Sequence, residues 1–232
     1  MAEQLERKLT TILATDVVGY SKLMGADEEG TLTRLKAIRR ECTDPLLDMY
    51  GGRIFKTTGD GFLVEFQSVV DAVNCAVSMQ RKIAEYGLNT PEHELIIFRM
   101  GINLGDVILD EDDIFGDGVN IAARLESISD RGGICISELV REQVRGKIPL
   151  EFFDRGEQRV KNIDKPIRVY GLTAEDIEKT KDIILTPRFR QKIFRGNKLY
   201  YSAAVVIGLL LAAASYKYFL MDQQLSLIHI SE

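Results

Sequence analysis

The chain has 232 residues, 45% apolar and 28% charged, which describes a folding domain with an appendage and excludes a disordered segment. A formal net charge of −5 argues against a nucleic-acid role, since phosphate binding needs a concentrated basic surface. Three dispersed cysteines (Cys42, Cys75, Cys135) form neither a disulfide framework nor a ligand set, and His93 and His229 alone cannot build a zinc site; any metal must be held by oxygen, which means magnesium or manganese.

The opening eight residues are polar and carry no secretory signal. Residues 9–18 are apolar and β-branched, a buried strand. Residues 27–50 read as helix, with Glu28 and Glu29 in the first turn, a break near Pro45 and a stop at Gly51-Gly52. Residues 53–66 form a β-hairpin turning at Thr58-Gly59-Asp60-Gly61. Ser68 caps a helix reaching Tyr86. A strand over 95–107, a helix over 119–128, a strand over 133–137, a helix over 138–145 and two strands within 152–170, around Lys165-Pro166, complete the domain. The interleaving predicts an α+β fold, a mixed and largely antiparallel sheet covered by helices.

Residues 173–198 are polar and charged and read as a juxtamembrane linker. The run 199–221 is apolar enough for a transmembrane helix, broken only by Lys217, which can snorkel; the other reading is a buried helix of a soluble protein. Tyrosines lie near both its ends, and the basic residues Arg188, Arg190, Lys192, Arg195 and Lys198 ahead of it put the N-terminal domain in the cytoplasm. Residues 222–232 are expected to be a truncated tail. Its last eight residues, LSLIHISE, match an in-frame reading of a transposon adapter used in DNA library preparation, so the natural chain is expected to continue past Gln224.

Two aspartates stand out. Asp16 ends an apolar strand and Asp60 sits in the hairpin turn between glycines. If that strand pairs with the hairpin, both carboxylates meet at one edge, and a divalent ion resolves their repulsion. Separately, each has a simpler reading, as a turn residue or a cap. Further on, Asn120 and Arg124 are four apart and share a helix face, behind Gly116 and Gly118, which admit close backbone approach. An amide and a fixed cation suit a ribose and a phosphate, although a solvated helix face would look the same.

Taken together, Ala14-Thr15-Asp16-Val17-Val18-Gly19-Tyr20-Ser21, Lys56-Thr57-Thr58-Gly59-Asp60-Gly61, Gly101-Ile102-Asn103-Leu104-Gly105-Asp106-Val107, the segment from Asp113 to Arg124, and Val160-Lys161-Asn162 resemble the class III adenylyl/guanylyl cyclase catalytic domain in a bacterial, membrane-anchored form. The resemblance covers residues 10–170 and implies a ferredoxin-like, palm-type fold within a catalytic domain over 1–172.

It further implies that Asp16, Asp60 and the Val17 carbonyl hold two Mg2+ or Mn2+ ions per active site, and that Lys56 and Asp113 read the purine. A lysine that donates and an aspartate that accepts suit adenine, whose N1 accepts and N6 donates; guanylyl cyclases of the family carry a Glu and a Cys or similar small residue there. Asn120 and Arg124 match the residues on the ribose and the pentavalent phosphorus, and Lys161 a lysine on the triphosphate. Some members carry a phosphate-binding arginine where this chain has Asp106, leaving part of that grip unassigned. The implied reaction is ATP to 3′,5′-cyclic AMP and pyrophosphate at composite sites of a homodimer on a bacterial inner membrane. Guanylate cyclase activity, a silent nucleotide-binding homologue and a membrane-anchored scaffold are the alternatives.

Overall fold

The computed structural model describes residues 6–110, 113–159 and 166–180. The first strand, β1 (Glu6–Val17), lies inside the sheet, antiparallel to β3 (Phe62–Phe66) on one side and to β4 (Phe98–Asp110) on the other. The hairpin partner β2 (Arg53–Thr57) forms one edge; beyond β4 lie β6 (Ile134–Ser137), β8 (Ile167–Leu172) and, at the other edge, β7 (Phe153–Gln158). A short β5 (Asp113–Phe115) folds back on the end of β4. Among the described residues only β4 and β6 pair in parallel, so the mixed, largely antiparallel α+β palm is as expected.

Alternation sorts the strands' side chains onto two faces. Leu13 and Val17 of β1, with Phe98, Met100 and Ile102 of β4, join the main core under α2 (Glu28–Ile38), α3 (Asp44–Tyr50), α4 (Val69–Tyr86) and α6 (Glu138–Val144). Ile12 and Ala14 point the other way, beneath α5 (Asp117–Ser127). Asp16 follows the same parity. It therefore belongs to the α5 face, as does its cross-strand partner Arg99.

The helix expected over 27–50 is interrupted ahead of Pro45, by a π turn over Arg39–Thr43. Proline has no N–H to give the Glu41 carbonyl, and the backbone widens so that Asp44 N–H reaches Arg39 O instead. Ser68 caps α4 as predicted, its hydroxyl accepting from the Asp71 N–H. The β4 strand starts three residues later than expected, behind a 3-10 turn at Glu92–Glu94.

Three elements escaped prediction: β5, α1 (Tyr20–Ala26) and α7 (Ala174–Lys179). The last corrects the linker assignment. A capping box between Thr173 and Asp176 starts the helix and Ile177 is buried, so the folded unit runs past residue 172. Among the described residues no helix is long and apolar enough to cross a membrane. The segment 199–221 read as transmembrane, and the rest of the chain after Thr180, lie outside them.

Candidate active site

The hairpin turn is pressed onto the end of β1. Thr15 and Phe62 are paired, with the Thr15 hydroxyl donating to Phe62 O and accepting from Phe62 N, both at 3.1 Å. Gly61 makes this approach possible: a Cβ there would lie 2.9 Å from the Thr15 carbonyl carbon, 3.1 Å from Asp16 Cα and nearer still to the Thr15 oxygen. As a result Asp60 lies beside Asp16. Its pKa is raised, first by burial and next by the Asp16 charge. Val17, buried and paired with Phe98, completes the strand end.

The resident cation is Arg99, whose Nη2 donates to Asp16 Oδ2 at 2.7 Å. Its Nε lies 3.1 Å from Glu126 Oε1 of α5. Those two atoms are buried yet misaligned, so neither has a hydrogen-bond partner. Burial, then the charge of Asp16, pushes the Glu126 carboxyl up to about 7, against the pull of Arg99. Gly101 lets α5 come this close: a Cβ there would stand 2.8 Å from the Leu125 carbonyl carbon and nearer to Glu126 N and Ala122 O. Near the helix's other end, Asn103 Nδ2 donates to Gly118 O at 3.1 Å.

A second group forms on the same face. Lys56 of β2 and Asp113 of β5, far apart in sequence, meet at 2.8 Å, with the Lys56 ammonium 5.1 Å from the Phe115 ring centre. The lysine's hydrogen bond holds the Asp113 carboxyl below the usual carboxylate range. Asn120 and Arg124 are both exposed on the outer side of α5, while Gly118, Ala122 and Leu125 face the sheet. Lys161 lies outside the described residues.

Asp106, which stands where some family members carry a phosphate-binding arginine, lies further along β4. It pairs with Arg7 at 2.8 Å, and the register sets it opposite Leu9, seven residues along β4 from Arg99. An acid there is not beside the aspartates; the arginine that is beside them is Arg99, which sequence reasoning passed over.

A family model described as the adenylate and guanylate cyclase catalytic domain matches residues 3–174. The chain belongs to that family. A protein of Rhizobium meliloti (strain 1021), provisionally named adenylate cyclase 3, is 45% identical over 174 residues, which are 75% of this chain and 30% of that protein. An adenylate cyclase of Streptomyces coelicolor is 30% identical over 61% of the chain and 35% of its own length. The chain thus spans about a third of the length of these two relatives. Among solved structures, an adenylate/guanylate cyclase/hydrolase from Silicibacter pomeroyi is 46% identical with a TM-score of 0.69, covering 73% of this chain and 99% of that one. The adenylyl cyclase CyaB from P. aeruginosa is 25% identical with a TM-score of 0.58, covering 73% and 95%.

The donors of this nucleotidyl cyclase domain suit a hard cation. Two carboxylates share one edge, and no histidine or cysteine stands among them. Among the described residues no group of three or more His, Cys, Asp or Glu side chains is arranged to hold a metal. A backbone carbonyl and the substrate's own phosphates would have to complete the coordination.

Proposed function

We propose that the domain is an adenylate cyclase, converting ATP to 3′,5′-cyclic AMP and pyrophosphate. The observation that carries the choice of base is the Lys56–Asp113 pair, a donor and an acceptor held 2.8 Å apart. Lys56 would donate to adenine N1 and Asp113 accept from the N6 amino group. Guanine presents the opposite pattern, an acceptor at O6 and a donor at N1.

Asp16, Asp60 and the Val17 carbonyl would hold two Mg2+ or Mn2+ ions, which when bound supply Lewis acidity toward the ribose 3′-hydroxyl and neutralise phosphate charge. Asn120 orients the ribose so that the 3′-oxygen lies in line with the α-phosphorus. Arg124 donates to the oxygens that gain charge as the P–O bond forms and pyrophosphate departs. Lys161 is assigned to the triphosphate. No side chain is assigned as general base.

The Lys56–Asp113 pair and the Asp16–Asp60–Arg99 group are separate clusters, with Asn120 and Arg124 exposed between sheet and solvent. Among the described residues α5 is the one helix packed on this face, over β1 and β4. Both features support a homodimer in which one subunit brings the aspartates and the other brings Lys56, Asp113, Asn120 and Arg124. Mixing Asp16→Ala and Asn120→Ala chains should then restore activity by forming one intact site. A mixture as inactive as its parents refutes the shared site, and turnover of GTP in preference to ATP refutes the base assignment. Attachment to a bacterial inner membrane through 199–221, with the catalytic domain cytoplasmic, rests on that run's apolarity and the basic cluster before it. Release of the full chain by alkaline carbonate would refute it.

A further inference from the structure

Arg99 lies between two carboxylates and bonds well to only one. Its Nη2 holds Asp16 at 2.7 Å, while its Nε and Glu126 Oε1 face each other at 3.1 Å, both buried and both without a hydrogen-bond partner. Buried polar atoms left in this state are costly, and a modest turn of the guanidinium toward Glu126 would satisfy both at once. That turn would also uncover Asp16.

We propose that Arg99 is the counter-ion of the aspartate pair in the metal-free protein and that Glu126 receives it when divalent cations enter. This rests on the assignment of Asp16 and Asp60 as metal ligands. Glu126 is thus a positioning residue. It acts on the metal through Arg99, by drawing the competing positive charge away from Asp16. The arrangement is built in by Gly101, whose missing side chain lets the end of α5 settle close enough for Glu126 to reach β4.

Charge supports the same exchange. Among the described residues, Asp16, Asp60 and Glu126 are three acids served by one guanidinium, and the deficit suits an incoming dication. Removing Arg99 and removing the Glu126 charge should therefore act on metal affinity in opposite directions. Simple damage to the site would move both the same way.

The test is Mn2+ binding to the intact chain without nucleotide, by electron paramagnetic resonance or calorimetry. Arg99→Gln should bind Mn2+ about tenfold more tightly than wild type, because the competing cation is gone. Glu126→Gln should bind about tenfold more weakly, the scale usual for residues that orient metal ligands. Glu126→Asp, which keeps the charge on a shorter arm, should fall between Glu126→Gln and wild type, and it carries the test with Arg99→Gln if Glu126→Gln does not fold. Shifts in the same direction, or none, overturn the proposal. ATP turnover by the wild type alongside such a result would leave the cyclase reading standing. Wild-type Mn2+ binding that survives Asp60→Ala would instead overturn the metal assignment beneath both.

Discussion

Replacing Gly61 with alanine should separate the two aspartates while leaving the fold in place. The added methyl would lie 2.9 Å from the Thr15 carbonyl carbon and 3.1 Å from Asp16 Cα, where carbon atoms normally keep about 3.5–4 Å. Both neighbours are backbone, in an interior strand, so the hairpin must yield by roughly 1 Å. Overpacking of this kind costs about 1–3 kcal/mol, a fall in Tm of roughly 2–12 °C for a domain of this size. A 1 Å displacement of a catalytic group can cost about a hundredfold in rate. Gly61→Ala should therefore lose about two orders of magnitude in cyclic AMP formation at saturating Mn2+ while still melting cooperatively. Gly59→Ala is the contrast. Its backbone is left-handed (φ +91°) but a methyl there meets nothing within 4 Å, so it should cost about 1–2 kcal/mol of stability and much less activity. Full activity in Gly61→Ala would refute the claim that this contact sets the spacing of the aspartates.

Exchanging the base-reading pair, Lys56→Glu with Asp113→Cys, should shift the GTP/ATP ratio of kcat/KM toward GTP by about 10- to 100-fold, measured with both nucleotides. Arg124→Ala should lower kcat by about 10²–10³ with little change in KM, since its contact forms as the phosphorus gains charge; an effect on KM alone would argue against that role. Burial pushes the Glu65 carboxyl upward, but Lys8, Arg53 and Thr10 outweigh it and hold its pKa below the ordinary value. A depressed folded-state pKa stabilises above the unfolded value of about 4.5 and is lost as pH falls through the folded one. Glu65→Gln should thus cost roughly 1–2 kcal/mol at pH 7, with the gap in Tm closing below about pH 4.5.

Elements with a repeating pattern were legible. The apolar run of β1, the Gly-Asp-Gly hairpin and the Ser68-capped α4 each carry their signal within a few residues. Helix α1 did not, because it buries no residue and has no side-chain cap. For α7 the signal existed, Thr173 three residues before Asp176, but the charged stretch around it read as linker. The same division holds for the site. Asp16, Asp60, Lys56 and Asp113 stand in local motifs; the meeting of Asp16 with Asp60 follows once β1 and the hairpin are paired, while that of Lys56 with Asp113 needs the fold-back of β5 on β4. Arg99 becomes visible only through the register that sets it opposite Asp16, and Glu126 only through the seating of α5 on Gly101.

The one parallel junction among the described strands bears on how the chain assembles. β1 to β4 pair among themselves by antiparallel contacts, and β7 and β8 make their own hairpin; β4 against β6 joins them only after some thirty residues of intervening chain have closed. Such non-local pairing is slow to form. The Gln80 amide, donating to Phe98 O at 3.1 Å and Gly133 O at 3.0 Å, clasps the start of both strands. The four-stranded part, which holds Asp16, Asp60 and Arg99, should gain protection from hydrogen exchange before β6 and β8 during refolding, and equal or reversed order would rule this sequence out. The metal-bearing half would then be shaped early, with the far hairpin added to an edge already formed.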